Sequence, residues 1–209
     1  MKLIDNEERL CIPLYHGTST CMLESIKEYG LGGRNIIEEY KVLDFLEYTY
    51  NLARSGNYIS EPDYLIKLIL NQRVTEAGYN FRHGQVYLTP SLDTAKRYKK
   101  NLYGSEIISH LVDLFTKYPN NNNDDVFNDN HPLFHFLRET PEPRPLVLKI
   151  PQLHISALLE GENGQPVLEV LDKLRKAMYC SELAFEIFSQ QNNFVLGQVI
   201  PFDKLEIVS

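Results

Sequence analysis

Leu14-Tyr15-His16-Gly17-Thr18-Ser19 places an imidazole, a flexible glycine and two hydroxyls together at the end of an apolar stretch, just before an amphipathic run that closes at Gly30. Such a set suits the floor of a nucleotide site. An imidazole nitrogen can donate to or accept from a ribose hydroxyl, and a residue without Cβ lets a ligand come close to the backbone. A second segment, Gly84-Gln85-Val86-Tyr87-Leu88-Thr89-Pro90, carries a tyrosine, and Tyr98 follows on the next helical stretch.

These groups act together only if the elements between them bring them together. Arg9 to Tyr15 reads as a strand, with Pro13 at its edge or start. Ser19 or Thr20 caps a helix on which Met22, Leu23, Ile26 and Tyr29 share a face, and Gly30 terminates it. Leu31-Gly32-Gly33-Arg34-Asn35 is then a loop able to fold over a ligand. Helical patterns run from Ile36 to Ala53, with Leu43, Leu46, Tyr50 and Ala53 in one stripe, and from Glu61 to about Glu76. Gln85 to Thr89 is a short strand, Ser91 caps a helix to about Asn101, and Glu106 to Lys117 is an apolar helix. The tract Pro119-Asn120-Asn121-Asn122-Asn123-Asp124-Asp125 cannot bury a core, which predicts a mobile polar loop over about 118–131 within the domain. Beyond it, Pro145 to Pro151 gives a strand and Pro166 opens a helix to about Met178. Ala184 to Phe188, Phe194 to Val199 and Leu205 to Val208 are strand-like. No internal repeat occurs. The sum is one α+β domain over 1–209, of short antiparallel strands with a helical insertion at about 36–76.

Composition narrows what such a domain can bind. The 209 residues are 43% hydrophobic, enough for a sizeable core. A net charge of −7 and an isoelectric point near 5.4 make broad electrostatic binding of nucleic acid or an anionic membrane an unfavourable expectation. Cys11, Cys21 and Cys180 have no metal-ligand spacing and their odd number leaves no full disulfide framework, so buried thiols in a reducing compartment are expected, with no metal. No apolar run reaches the length of a membrane span, and Met1 to Asp5 lacks a signal-peptide core. A cytosolic place of action is expected, with delivery into a host cell as a bacterial effector or toxin, or a role in defence, left open.

Tyr15-His16-Gly17-Thr18, then Val86 to Thr89 and Ala95 to Tyr98, resemble the ADP-ribosyltransferase superfamily in its histidine-tyrosine-glutamate branch, the diphtheria-toxin-like and poly-ADP-ribose-polymerase-like enzymes. Asn193-Phe194-Val195-Leu196 and Ile200-Pro201 are similar to that family's last catalytic strand and the strand pair after it. The resembling pieces cover roughly a third of the chain. The resemblance implies split antiparallel sheets around an NAD cleft, NAD as co-substrate and a protein acceptor. It assigns the ribose to His16, backbone contacts to Gly17 and Thr18, and the nicotinamide ring to Tyr87 and Tyr98, where good stacking is worth about 0.5–1.5 kcal/mol per pair. Arg34 or Arg82 would meet the pyrophosphate.

The family's catalytic glutamate would fall at position 193, where this chain has Asn193. An amide can hydrogen-bond a ribose hydroxyl but brings no charge to an oxocarbenium-like state, a loss on the scale of 3–4 kcal/mol for one preorganised electrostatic group. Three outcomes stay open. Glu186 or Glu182 carries the role, Glu186 being the polar residue that alternates with Phe185 and Ile187. Alternatively, single ADP-ribose units are transferred with the acceptor's own carboxylate. Or the chain binds NAD or ADP-ribose without turnover. NAD hydrolysis is a further alternative, whereas polymer synthesis fits poorly, because elongation in the family leans on that glutamate. The related RNA 2′-phosphotransferase carries arginine before its histidine, and here that residue is Tyr15. A serine or cysteine hydrolase lacks support, since no Gly-x-Ser-x-Gly elbow occurs.

Overall fold

The computed structural model describes residues 2–55, 66, 67, 70, 84–98, 100–117, 131–140 and 142–208. The chain is α+β. One antiparallel sheet joins β1 (Leu14–Ser19), β3 (Pro145–Ile150) and β6 (Glu206–Val208) in the order β1-β3-β6. A second joins β2 (Tyr87–Leu88), β5 (Phe194–Leu196) and β4 (Leu158–Gly161) in the order β2-β5-β4. Around them lie helices α1 (Leu23–Tyr29), α2 (Ile36–Glu39), α3 (Val42–Ser55), α4 (Leu92–Tyr98), α5 (Glu106–Lys117), α6 (Pro132–Arg138), α7 (Val167–Cys180) and α8 (Glu182–Gln191). No described helix is long and apolar enough to cross a membrane.

Strand β1 begins later than the sequence pattern predicts and runs further. Its six residues pair from Leu14 opposite Ile150 to Ser19 opposite Pro145, so the Tyr-His-Gly-Thr segment lies within the ladder and not beyond its end. Upstream, Arg9 and Leu10 make only isolated bridges, and Pro13, with no N–H to give, separates them from the strand. Cys11 is consequently exposed in a bend, as is Cys180 at the end of α7; Cys21 alone of the three thiols is buried. Ser19 then does cap the next element, its Oγ accepting from the Cys21 N–H at 3.2 Å. That element opens as a 3₁₀ turn, Thr20–Met22, before becoming α1.

Three expected elements need correction. The stretch from Ile36 to Ala53 is two helices, because Lys41 takes a left-handed φ of 47° between α2 and α3. That conformation costs a residue with a Cβ about 1–2 kcal/mol, and nothing in the local propensities announces it. Of the expected apolar stripe Leu46, Tyr50 and Ala53 are buried, whereas Leu43 is half-buried and Val42 takes the inner position instead. Ala184 to Phe188 is helical and belongs to α8. Ser181 Oγ accepts from the Ala184 N–H at 3.0 Å and starts it, and five alternating residues cannot separate a strand from a helix. Helix α4 also ends at Tyr98, short of Asn101, and leaves through turns to Gly104. The polar tract at 118–130 and most of the pattern at Glu61 to Glu76 lie outside the described residues.

Two hydrophobic clusters result. The first packs both sheets against α1 and α7 and centres on Leu14, Leu88, Leu148, Phe194 and Leu174, each essentially without exposure. The second is helical and gathers Val42, Leu46, Ile108, Leu111 and Leu133 from α3, α5 and α6. Each such fully buried side chain contributes about 1.5–3 kcal/mol relative to exposure. The stretch from Ile36 thus packs with α5 and α6. Met22 packs against both clusters.

One glycine fixes how α1 hands over to the cleft loop. Gly30 has φ 81° and ψ 166°, a region essentially closed to residues with a Cβ. An added Cβ would also stand 2.8 Å from the Ile200 carbonyl oxygen, in the place where Leu31 and Ile200 exchange hydrogen bonds of 2.8 and 3.0 Å. Gly30→Ala is expected to lower unfolding free energy by about 1–3 kcal/mol in urea melts; an unchanged melt would show that the hand-over relaxes freely.

Candidate functional site

A cleft of about 430 Å³ opens where the two sheets approach each other. His16, Gly17 and Thr18 line it from β1, Tyr87 from β2 and Tyr98 from the end of α4. Arg34 enters from the loop after α1, and Asn193 from the residue preceding β5. Seven of the residues expected at a site therefore meet in one place. Glu186 does not. It is exposed on α8 and, like Glu182, lies outside the cleft lining, because the helix turns it away from where a strand would have aimed it. Arg82 is outside the described residues.

The sheets are sewn together at the cleft floor. Tyr15 N–H donates to the Thr89 carbonyl at 2.8 Å, and Thr89 N–H returns a bond to the Tyr15 carbonyl at 2.9 Å. One residue on, His16 Nδ1 lies 3.0 Å from the Tyr87 carbonyl oxygen. A carbonyl only accepts, so Nδ1 carries the proton and Nε2 of the neutral ring is left as an acceptor. Burial lowers the His16 pKa below its ordinary value and the Tyr87 carbonyl opposes this more weakly, which keeps the imidazole uncharged near neutrality.

Asn193 is only 5% exposed. Its Nδ2 donates to Glu162 Oε2 at 2.6 Å, while the Glu162 N–H donates to the Asn193 carbonyl at 3.0 Å. The pairing follows from register. Glu160 faces Val195 and Gly161 faces Phe194 in the β4–β5 ladder, so the next step sets Glu162 opposite Asn193. Cross-strand neighbours share a face, and Glu162 joins Asn193 in lining the cleft. With the amide nitrogen committed to the carboxylate, Asn193 Oδ1 is buried without a hydrogen-bond partner among the described residues. Glu162 is the residue that sequence reasoning missed. Its only signal is a position 31 residues before Asn193, which has meaning once the register is known.

Charge elsewhere in the cleft is equally organised. Arg34 Nε and Nη2 each donate to a Glu39 carboxylate oxygen at 2.5 Å, and Nη2 also reaches Tyr40 Oη at 2.9 Å. Its guanidinium stands over the rings of Tyr29, Tyr40 and Phe136 at 5.5, 5.5 and 5.8 Å. Glu39 pushes the Arg34 pKa further up, and Arg34 pulls that of Glu39 down. Nη1 makes no hydrogen bond among the described residues, so a bidentate clamp on one edge presents the other edge to a ligand. Tyr98 is 47% exposed, and its phenol pKa is raised by burial and then by the charge of Glu162. Among the described residues no group of three or more His, Cys, Asp or Glu is arranged to hold a metal ion.

No family model matches the chain, and neither a curated protein nor a solved structure matches it.

The state of His16 sets a pH dependence. With a folded-state pKa below the unfolded value of about 6.5, the unfolded chain binds a proton that the native chain refuses. The associated stability is present above that value and is lost as pH falls from it through the folded pKa. Thermal melts between pH 7.5 and 5 should show a smaller loss for His16→Asn than for wild type; equal slopes would mean that the imidazole charges freely.

Proposed function

We propose that the chain cleaves the nicotinamide–ribose bond of NAD and transfers a single ADP-ribose unit to a protein acceptor. The observation that carries this is the meeting of His16, locked by Tyr87 as a neutral acceptor, with Tyr87, Tyr98 and Asn193 in one cleft. In this scheme His16 Nε2 accepts from a ribose hydroxyl and the two tyrosine rings hold the flat nicotinamide. Backbone at Gly17 and Thr18 borders the adenosine side. The open Nη1 edge of Arg34 receives the pyrophosphate.

The reaction balances without any further reagent. The bond between C1′ and the pyridinium nitrogen breaks, and its electron pair leaves with that nitrogen, so nicotinamide departs neutral. Positive charge develops on the sugar. An acceptor lone pair then closes on C1′, and the acceptor's proton passes to solvent. No redox change occurs, and the ring-holding tyrosines and the ribose-holding histidine act by positioning.

Mass spectrometry of the protein incubated with NAD and a cell lysate tests the proposal. Adducts of one ADP-ribose unit are expected, reduced about 10²-fold by His16→Ala, the scale for losing one preorganised polar contact. Arg34→Ala should weaken NAD binding about tenfold by calorimetry, the equivalent of one charge-assisted hydrogen bond of about 1.5 kcal/mol. Nicotinamide release without adducts would reject transfer in favour of hydrolysis. Bound but intact NAD would reject catalysis in favour of a binding module.

A further inference from the structure

We infer that Glu162 is the catalytic carboxylate of this cleft and that Asn193 is its positioning residue, an inference that rests on the NAD-cleaving part of the function proposed above. The charge expected at the residue preceding β5 is displaced to its hydrogen-bonded neighbour just past the end of β4. Position 193 holds an amide, and the residue hydrogen-bonded to it one step beyond the last β4–β5 pair holds a carboxylate.

Three observations make the pair a built device. Side chain and backbone bond in opposite directions between the same two residues, at 2.6 Å from Asn193 Nδ2 to Glu162 Oε2 and 3.0 Å from the Glu162 N–H to the Asn193 carbonyl. An amide pressed against a carboxylate must turn its nitrogen toward it, which fixes the orientation of the whole group. That orientation leaves Asn193 Oδ1, nine-tenths buried, as an acceptor with no partner among the described residues, in a side chain that lines the cleft. A buried acceptor left open is costly unless a ligand donor meets it, and a ribose hydroxyl is such a donor. Glu162 also lines the same cleft as Tyr98, the ring proposed to hold nicotinamide, and after burial its charge is the next cause of the raised Tyr98 phenol pKa.

The division of labour follows from the chemistry. As the C1′–N bond breaks and its pair leaves with nicotinamide, the charge developing on C1′ and the ring oxygen meets the Glu162 carboxylate. Asn193 holds one carboxylate oxygen and offers its own Oδ1 to a ribose hydroxyl, so the sugar and the anion are referred to the same side chain. An alanine at 193 would leave the charge in the cleft and remove its register with the sugar.

The test is nicotinamide release with NAD binding measured alongside, for wild type, Glu162→Gln, Glu162→Asp, Asn193→Ala and the double variant Glu162→Gln with Asn193→Ala. Glu162→Gln should bind NAD within about threefold of wild type and lose about 10²–10³ in kcat. Glu162→Asp should recover at least part of that loss. Asn193→Ala should lose about tenfold in kcat, and the double variant should lose less than the two single losses combined, since without the carboxylate only the ribose contact of Asn193 is left to remove. A Glu162→Gln variant that turns over at the wild-type rate overturns the inference and leaves NAD cleavage standing. Additive losses in the double variant overturn the positioning role of Asn193. A wild-type chain that releases no nicotinamide overturns this inference and NAD cleavage together.

Discussion

Three hydrogen bonds between β1 and the β2 edge hold the rest of the arrangement in place. Two are the mutual bonds between Tyr15 and Thr89, and the third runs from the His16 ring to the Tyr87 carbonyl. Strand β2 is two residues long and could not persist on its own pairing. It is held from one side by β5 and from the other by this seam, and Leu88 is buried between them. Were the seam absent, the two sheets would be separate small ladders, each with exposed edges. The same bonds set the imidazole's tautomer, so architecture and the candidate chemistry share one set of atoms.

Much of the frame was legible because it rests on local physics. The Ser19 cap and Gly30 stop delimit α1 through the hydrogen bonds and dihedrals that those residue types favour, and the apolar stripe of α3 follows helical spacing. Pro166 opens α7 for the same kind of reason. The errors fall where local patterns tie or mislead. Leu183, Phe185 and Ile187 alternate like a strand, yet Ser181 caps them as a helix whose Leu183 is 65% exposed. Lys41 breaks a helix with a residue that favours helices, so local propensity does not announce it.

The site was legible in its parts and not in its pairing. His16, Tyr87, Tyr98 and Asn193 could be picked out by type and flanking residues. Glu162 could not, since Glu160-Gly161-Glu162-Asn163-Gly164 reads as an ordinary polar turn. Its relation to Asn193 is a property of how β4 and β5 pair, with a register shift between Leu158 and Glu160, which no linear spacing displays. Arg34 shows the converse: its type suggested a phosphate contact, while the Glu39 clamp and three aromatic neighbours that orient it emerge only in three dimensions.

The cleft walls come from both hydrophobic clusters, with Ile26, Leu31 and Leu88 from the sheet cluster and Ile37, Ile107 and Ile108 from the helical one. The space between them is therefore a boundary between two packed units, and local opening in proteins tends to follow such cooperative units. An occupant of that space would touch both layers at once. A ligand seated there would serve as a removable piece of core, stabilising both packed units together by mass action.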